Sequence, residues 1–176
     1  NHETSCVFIE TKKINLILDL GSGIKNLNKI NFKKKPTYLF LSHLHLDHII
    51  GTHYLSSIKK LPNLEIILNK NYCKSFKKIF SEPYTLKYTK YKNRIKILTF
   101  NEKFNPKLPF HFISKKLNHS DPSYGFKFFL DNKIISYCTD TKYCENLFKL
   151  SNNSDLLILE CNQIKKKNNY HLSFQE

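Results

Sequence analysis

The chain has 176 residues, 40% of them hydrophobic, and a formal net charge of +15. That length supports one domain with a real core. No apolar run approaches the ~20 residues of a membrane helix; the longest, Leu156-Leu157-Ile158-Leu159, is strand-sized.

The opening Asn1-His2-Glu3-Thr4 is polar and lacks a basic start, so no secretory signal is read there. The chain contains no Met, and a cut at both ends is expected. The five cysteines, Cys6, Cys73, Cys138, Cys144 and Cys161, form no CxxC pair and are odd in number. That pattern predicts a reduced, cytoplasmic protein. The positive charge predicts attraction to phosphate polyanions such as RNA. Yet Arg94 is the only Arg among 29 basic residues, whereas bidentate phosphate recognition favours Arg. Much of the charge therefore reads as Lys-rich composition, with a field that still favours an anionic substrate.

In chain order, Thr4 to Ile9 and Ile14 to Asp19 read as two strands around a turn at Thr11-Lys12-Lys13. Gly21-Ser22-Gly23 breaks the pattern, and spaced Ile24, Leu27 and Ile30 predict a short helix over 24–32. Tyr38 to Leu41 is a short buried strand that delivers a histidine-rich loop at 42–48. A helix over 48–59, a strand from Leu64 to Leu68 and a helix over 71–80 follow. Residues 81–93 carry no clear signal. Arg94 to Phe100, Phe110 to Leu117, Tyr124 to Leu130 and Lys133 to Cys138 read as strands, with Asp131-Asn132 as the hairpin turn between the last two. A helix over 142–150, a strand from Leu156 to Glu160 and a charged loop from Lys165 to Asn169 complete the chain. This alternation predicts a mixed α/β layered fold in a single domain over 1–176.

The chemistry concentrates in Ser42-His43-Leu44-His45-Leu46-Asp47-His48, followed by Gly51. In an extended loop His43 and His45 point to one side, because side chains two apart share a face. Asp47 and His48 can reach a neighbouring point as the chain turns into a helix. Imidazole suits zinc, and a carboxylate beside it suits a second metal. The four glycines, Gly21, Gly23, Gly51 and Gly125, each lie in or beside a proposed motif, as expected where backbone must turn tightly or pass close to a neighbour.

Residues 42–51 resemble the signature of the metallo-β-lactamase superfamily. The rest of the chain carries that resemblance further, in order. Asp19 ends Leu16-Ile17-Leu18 before Gly21 and Gly23; His119 follows Leu117-Asn118; Asp140 ends Tyr137-Cys138-Thr139; His171 opens His171-Leu172-Ser173. The resemblance implies an αββα sandwich, here truncated, and two divalent metal ions, zinc foremost, with manganese or iron as alternatives. It implies that His43, His45 and His119 hold the first ion, that Asp47, His48 and His171 hold the second, and that Asp140 bridges them. Asp19 is implied to orient ligands by hydrogen bonds. His2, His53 and His111 match no motif.

The implied activity is hydrolysis by a water activated between the two metals, with Asp47 and Glu160 as the catalytic candidates. Within the superfamily, the run from His119 through Tyr124-Gly125-Phe126 to Asp140 is similar to ribonuclease Z, and Leu159-Glu160-Cys161 falls where that enzyme has a His-Glu-Ala-Thr motif. Glu160 matches; Leu159 replaces the His. Residues 52–118 contain no Gly and only four Pro, so no Gly- and Pro-rich tRNA-grasping arm is visible. These departures favour a small phosphodiester, such as a cyclic nucleotide, over tRNA. Other superfamily hydrolysis, and a non-catalytic nucleic-acid-binding module, are the alternatives. An anionic partner, either small phosphodiester or RNA, no membrane, and a homodimer are the expected associations.

Overall fold

A computed structural model of the chain describes residues 3–58, 61–85, 90, 94–165 and 170–175. His2 and most of the charged loop at 165–169 lie outside the described residues. The chain divides into two compact units, Asn1–Pro106 and Lys107–Glu176.

The first unit is built on a five-stranded sheet in the order β1-β2-β3-β4-β5. Its strands are β1 (Val7–Glu10), β2 (Asn15–Leu18), β3 (Thr37–Phe40), β4 (Leu64–Asn69) and β5 (Ile95–Phe100). β1 pairs antiparallel with β2, and β2 through β5 are parallel. Parallel strands buried on both faces need near-continuous apolar runs; Leu16 to Leu18, Leu39 to Leu41 and Ile66 to Leu68 supply them, all fully buried. The register places Ile17, Leu39, Ile66 and Ile97 in one row. The first three belong to a core completed by Ile24, Leu27, Ile58, Phe76 and Phe80, with Ile97 packed against it. Phe76 and Phe80, one turn apart, meet edge to face at 5.1 Å.

The helix predicted over 48–59 is instead one α-helical turn, α1 (Leu46–Ile49), running into a 3-10 segment at Ile50–Tyr54. Hydrogen-bond competition explains the difference. The His48 carbonyl accepts from Leu20 N (2.9 Å), and Gly51 N donates to Leu20 O (2.8 Å). The groups that would continue the helix are thus taken by the loop after β2. Gly51 permits this approach: a Cβ there would lie 2.4 Å from Gly21 O and 2.6 Å from Leu20 O. The helix expected over 24–32 is a 3-10 helix at Ser22–Lys29. That over 71–80 holds as a short 3-10 turn at Lys70–Tyr72 leading into α2 (Cys73–Ile79).

The second unit is a four-stranded sheet, β6-β7-β8-β9, of β6 (His111–Lys116), β7 (Tyr124–Leu130), β8 (Lys133–Cys138) and β9 (Leu156–Leu159), with α3 (Glu145–Ser151) between the last two. β6, β7 and β8 are antiparallel neighbours and β9 joins β8 in parallel. Asp131 and Asn132 have φ of 47° and 60°, both left-handed, as a type I′ hairpin turn requires. α3 lies against the sheet: Leu147 and Leu150 share a core with Leu117, Cys138 and Leu172, and a Cβ on Gly125 would meet Leu150 Cδ1 at 2.6 Å. Lys127, buried, donates from Nζ to the Asn152 carbonyl at the end of α3, where a cation complements the helix dipole.

Candidate metal centre

In the first unit the functional side chains sit at the carboxyl ends of β2 and β3. Asp19 follows β2 with a left-handed backbone (φ 59°), a conformation that Asp tolerates better than most residues. Its carboxylate is fully buried and meets three donors. Oδ1 accepts from Ser42 N (2.7 Å), and Oδ2 accepts from Ser42 Oγ (2.8 Å) and His48 Nδ1 (2.7 Å). Ser42 Oγ in turn lies 2.9 Å from His43 Nδ1.

These contacts fix the proton positions of two imidazoles. An ionised carboxylate only accepts, so Ser42 must donate to Asp19, and His43 Nδ1–H must donate to Ser42. His48 Nδ1–H donates to Asp19 directly. Both rings therefore carry their proton on Nδ1 and present Nε2 as a lone-pair donor. His43 Nε2 lies 3.0 Å from His45 Nδ1. His48 Nε2 lies 3.4 Å from Asp47 Oδ2. His43 and His48 are buried, whereas the Asp47 side chain is 55% exposed.

In the second unit, His119, Asp140 and His171 lie on loops that follow strands. His119 Nδ1 donates to the Tyr170 carbonyl (3.0 Å), leaving Nε2 as the acceptor nitrogen, 3.7 Å from Asp140 Oδ2. Asp140 again combines a strand end with a left-handed backbone (φ 35°), and its Oδ1 accepts from Thr139 Oγ1 (2.8 Å). His171 Nδ1 contacts Glu160 Oε1 at 3.0 Å, and the His119 and His171 ring centroids are 5.0 Å apart. Glu160 Oε1 also accepts from Thr141 N (2.8 Å) and Leu172 N (3.4 Å). Expected as a catalytic residue, Glu160 is thus turned toward the loops that carry Asp140 and His171.

Do these donors fit metal ions? Zinc ligands are imidazole nitrogens at about 2.0–2.1 Å, so two on one tetrahedral ion lie about 3.3 Å apart. The 3.0 Å between the His43 and His45 nitrogens and the 3.4 Å between Asp47 and His48 bracket that value. The second nitrogen of each ring of His43, His48, His119 and His171 is engaged by a hydroxyl, a carboxylate or a carbonyl. Metal-binding histidines need that outer support to fix ring and tautomer. The donor set fits divalent metal within each unit: the donor atoms of His43 and His45, of Asp47 and His48, and of His119 and Asp140 lie within 4.8 Å of one another.

The histidines that matched no motif lie elsewhere. His53 is exposed, and His111, also exposed, packs on cross-strand Phe129 with centroids 5.0 Å apart. Burial pushes the Cys6 and Cys138 thiols up to about 12, so neither offers a thiolate at neutral pH. Sequence reasoning assigned no role to Ser42, Thr141 or the Tyr170 carbonyl. The hydroxyls flanking the donors, Ser42 before His43 and Thr139 and Thr141 around Asp140, were a readable signal. A backbone carbonyl is not.

A family model described as "Beta-lactamase superfamily domain" matches residues 25–176. No curated protein sequence matches the chain. Among solved structures it is similar to the metallo-β-lactamase fold protein YhfI from Bacillus subtilis, at 22% identity and a TM-score of 0.76, over 98% of this chain and 71% of that one. It is also similar to a diphosphatase from the PhnP family, at 18% identity and 0.71, over 96% and 64%. Human tRNase Z, short form, gives 20% identity and 0.65, over 98% and 78%. These likenesses show the fold, a mixed α/β architecture with two sheets.

Proposed function

The chain belongs to the β-lactamase superfamily, and from that premise we propose that it is a divalent-metal-dependent phosphodiesterase. The observation that carries the proposal is the Asp19–Ser42–His43/His48 arrangement, which holds two imidazoles in the one tautomer that presents Nε2 to a cation. The ligand assignment is that His43, His45 and His119 bind one ion, Asp47, His48 and His171 a second, and Asp140 both. Each unit supplies part of this set, and their joint service to the same ions is part of the proposal. Bound metal would supply Lewis acidity and lower the pKa of a coordinated water.

The chain's own residues then have separate tasks. Asp19 and Ser42 orient His43 and His48 and hold their protons on Nδ1. Asp47, the exposed carboxylate of the loop, is placed to take a proton on the solvent side. Glu160 and Thr141 hold the loops of the second unit. The choice of phosphodiesters rests on this dense Asp/His donor set. It is supported by the diphosphatase and tRNase Z structures among those of similar fold. Small substrates are preferred over tRNA in this reading, because Leu159 brings no proton to a leaving oxygen. Reduced cytoplasm is the proposed compartment, consistent with five free cysteines. Among the described residues no helix is long and apolar enough to cross a membrane. A homodimer is proposed as the working assembly.

The test is elemental analysis of the purified chain after zinc or manganese supplementation, followed by turnover of bis(p-nitrophenyl) phosphate, a cyclic mononucleotide and a pre-tRNA. Up to two equivalents of metal and faster cleavage of the cyclic nucleotide are expected. Absence of metal, or turnover of only a thioester or lactone, would overturn the reading.

A further inference from the structure

The positive charge is unevenly placed. Asn1–Pro106 carries 19 of the 29 basic residues against seven of the 14 acidic ones; Lys107–Glu176 carries ten against seven. Within the first unit, the sheet itself places six of these 19 basic residues at one end. β2 through β5 run parallel, and their registers align Asn15, Thr37, Leu64 and Ile95 in a single row. The residues just before that row therefore share one edge of the sheet. Lys12 and Lys13 precede β2, Lys33, Lys34 and Lys35 precede β3, and Arg94 precedes β5. All but Lys35 are exposed. β1 ends at the same edge with Glu10, the one acid there among the described residues. Lys33 and Lys35 converge on it at 2.8 and 2.9 Å, and hydrogen bonds from Lys33 and then Lys35 hold its carboxyl below the usual range. One carboxylate against six cations leaves the edge strongly positive.

This pole lies opposite the metal donors. Asp19 and the His43–His48 loop follow the carboxyl ends of β2 and β3, while the lysines precede their amino ends. A four-residue strand separates the two edges by about 13 Å, and neighbouring strands about 4.8 Å apart spread the pole over about 14 Å. That separation exceeds the Debye length of about 8 Å at physiological salt, so the pole acts on its own ligand rather than on charge at the donor edge. The large apolar side chains exposed in this unit, Leu46, Ile50, Tyr54, Tyr84 and Phe104, belong to other segments. Without an apolar anchor beside the lysines, stable attachment to a lipid surface lacks its second signal. We infer that the amino-end pole of β2–β5 is a binding surface for the phosphate backbone of nucleic acid. Lysine supplies point charges without the bidentate fork of arginine, so binding there is independent of base sequence. The inference does not rest on the phosphodiesterase reading.

The experiment measures binding of a short fluorescein-labelled single-stranded RNA to the full chain by anisotropy, with chelator present so that cleavage plays no part. The variant K12E/K13E/K34E should bind about tenfold more weakly near 0.1 M salt, with a log–log salt slope shallower by about 2. The variant K74E/K77E/K78E changes net charge equally but alters the exposed face of α2; it should stay within about threefold of the unaltered chain if location rather than net charge governs binding. Acetylation footprinting of the unaltered protein gives a readout independent of variant folding: RNA should protect Lys12, Lys13 and Lys34. Equal weakening by both triple variants, absence of protection, or preference for phosphatidylserine vesicles over RNA would each overturn the inference.

Discussion

Asp19→Asn isolates the role of a residue that touches no substrate. The side chain keeps its shape, and Asn tolerates the left-handed backbone at this position (φ 59°) as Asp does. What changes is the hydrogen-bond arithmetic. The carboxylate accepts from Ser42 N, Ser42 Oγ and His48 Nδ1; an amide has one accepting oxygen and one donating nitrogen. With the amide oxygen on Ser42 N, the amide nitrogen faces Ser42 Oγ and His48 Nδ1. Ser42 must then accept and donate onward to His43 Nδ1, and His48 Nδ1 must accept. Both rings move their proton to Nε2, the atom that would otherwise bind metal. Loss of an outer-shell partner costs about 10–100-fold in metal affinity, and two rings are affected, so zinc affinity should fall by about 100-fold or more. Competition against a chromogenic chelator measures that fall, and imidazole 15N spectra of the metal-free protein read the tautomers of His43 and His48 directly. Zinc affinity within threefold of the unaltered chain, or Nδ1–H tautomers surviving in the variant, would refute the reasoning.

Other perturbations separate donors from bystanders. His45→Ala should remove most metal from one site, because affinity falls steeply when one of a few ligands is lost, while His53→Ala and His111→Ala keep metal content and turnover within about twofold; a change of about 100-fold in either bystander, typical of a lost catalytic group, would show the wrong histidines were chosen. Gly51→Ala should destabilise the chain by about 2–3 kcal/mol, since its Cβ would meet two backbone oxygens within 2.6 Å, and a thermal midpoint unchanged from the unaltered chain would contradict the packing described. Thiol labelling at pH 8 should modify exposed Cys161 and spare Cys6 and Cys138, whose thiolate fraction is about 10⁻⁴ at a pKa of about 12. Their reactivity should appear only as pH approaches that value; labelling of either at the Cys161 rate would show that burial does not protect it.

The strands and the candidate donors were legible because both leave local signatures. Tyr124–Leu130 and Lys133–Cys138 emerge with the predicted bounds, since near-continuous apolar runs and a left-handed Asp-Asn turn are written in adjacent residues. The histidine cluster was legible because an apolar strand must end before its donors can face a cation. Helix lengths were not. The stretch after His48 has helical spacing, yet its backbone groups are claimed by the loop at residues 20–21, far away in sequence. Competition between a local helix and a remote backbone partner leaves no periodic trace, except that Gly51 marks the place where the two chains touch. The same limit hid the Tyr170 carbonyl behind His119: any residue can supply a carbonyl, so its identity carries no signal.

Glu160 shows how the role given to a residue changes the expected outcome of a variant. Its side chain is 11% exposed, and Oε1 collects three donors from two loops, Thr141 N, His171 Nδ1 and Leu172 N. Thr141 extends the web, accepting from Asn118 N beside His119 (3.2 Å). The carboxylate thus ties together the loops of all three donors in the second unit. This is the geometry of a positioning residue. Glu160→Ala leaves up to three N–H groups without their acceptor at about 1 kcal/mol or more each where water cannot substitute. With partial access for water, about 2–3 kcal/mol of stability should be lost, or about 4–12 °C in Tm for a chain of this size. Metal affinity should fall by about 10–100-fold at one site. Glu160→Gln keeps one accepting oxygen for Thr141 N and His171, so it should recover most of the Tm and part of the zinc affinity. A proton-transfer residue would behave in the opposite way, with Glu160→Gln as inactive as Glu160→Ala while zinc titration and cobalt absorption stay unchanged. Unaltered metal binding together with lost turnover in both variants would therefore return Glu160 to the catalytic group.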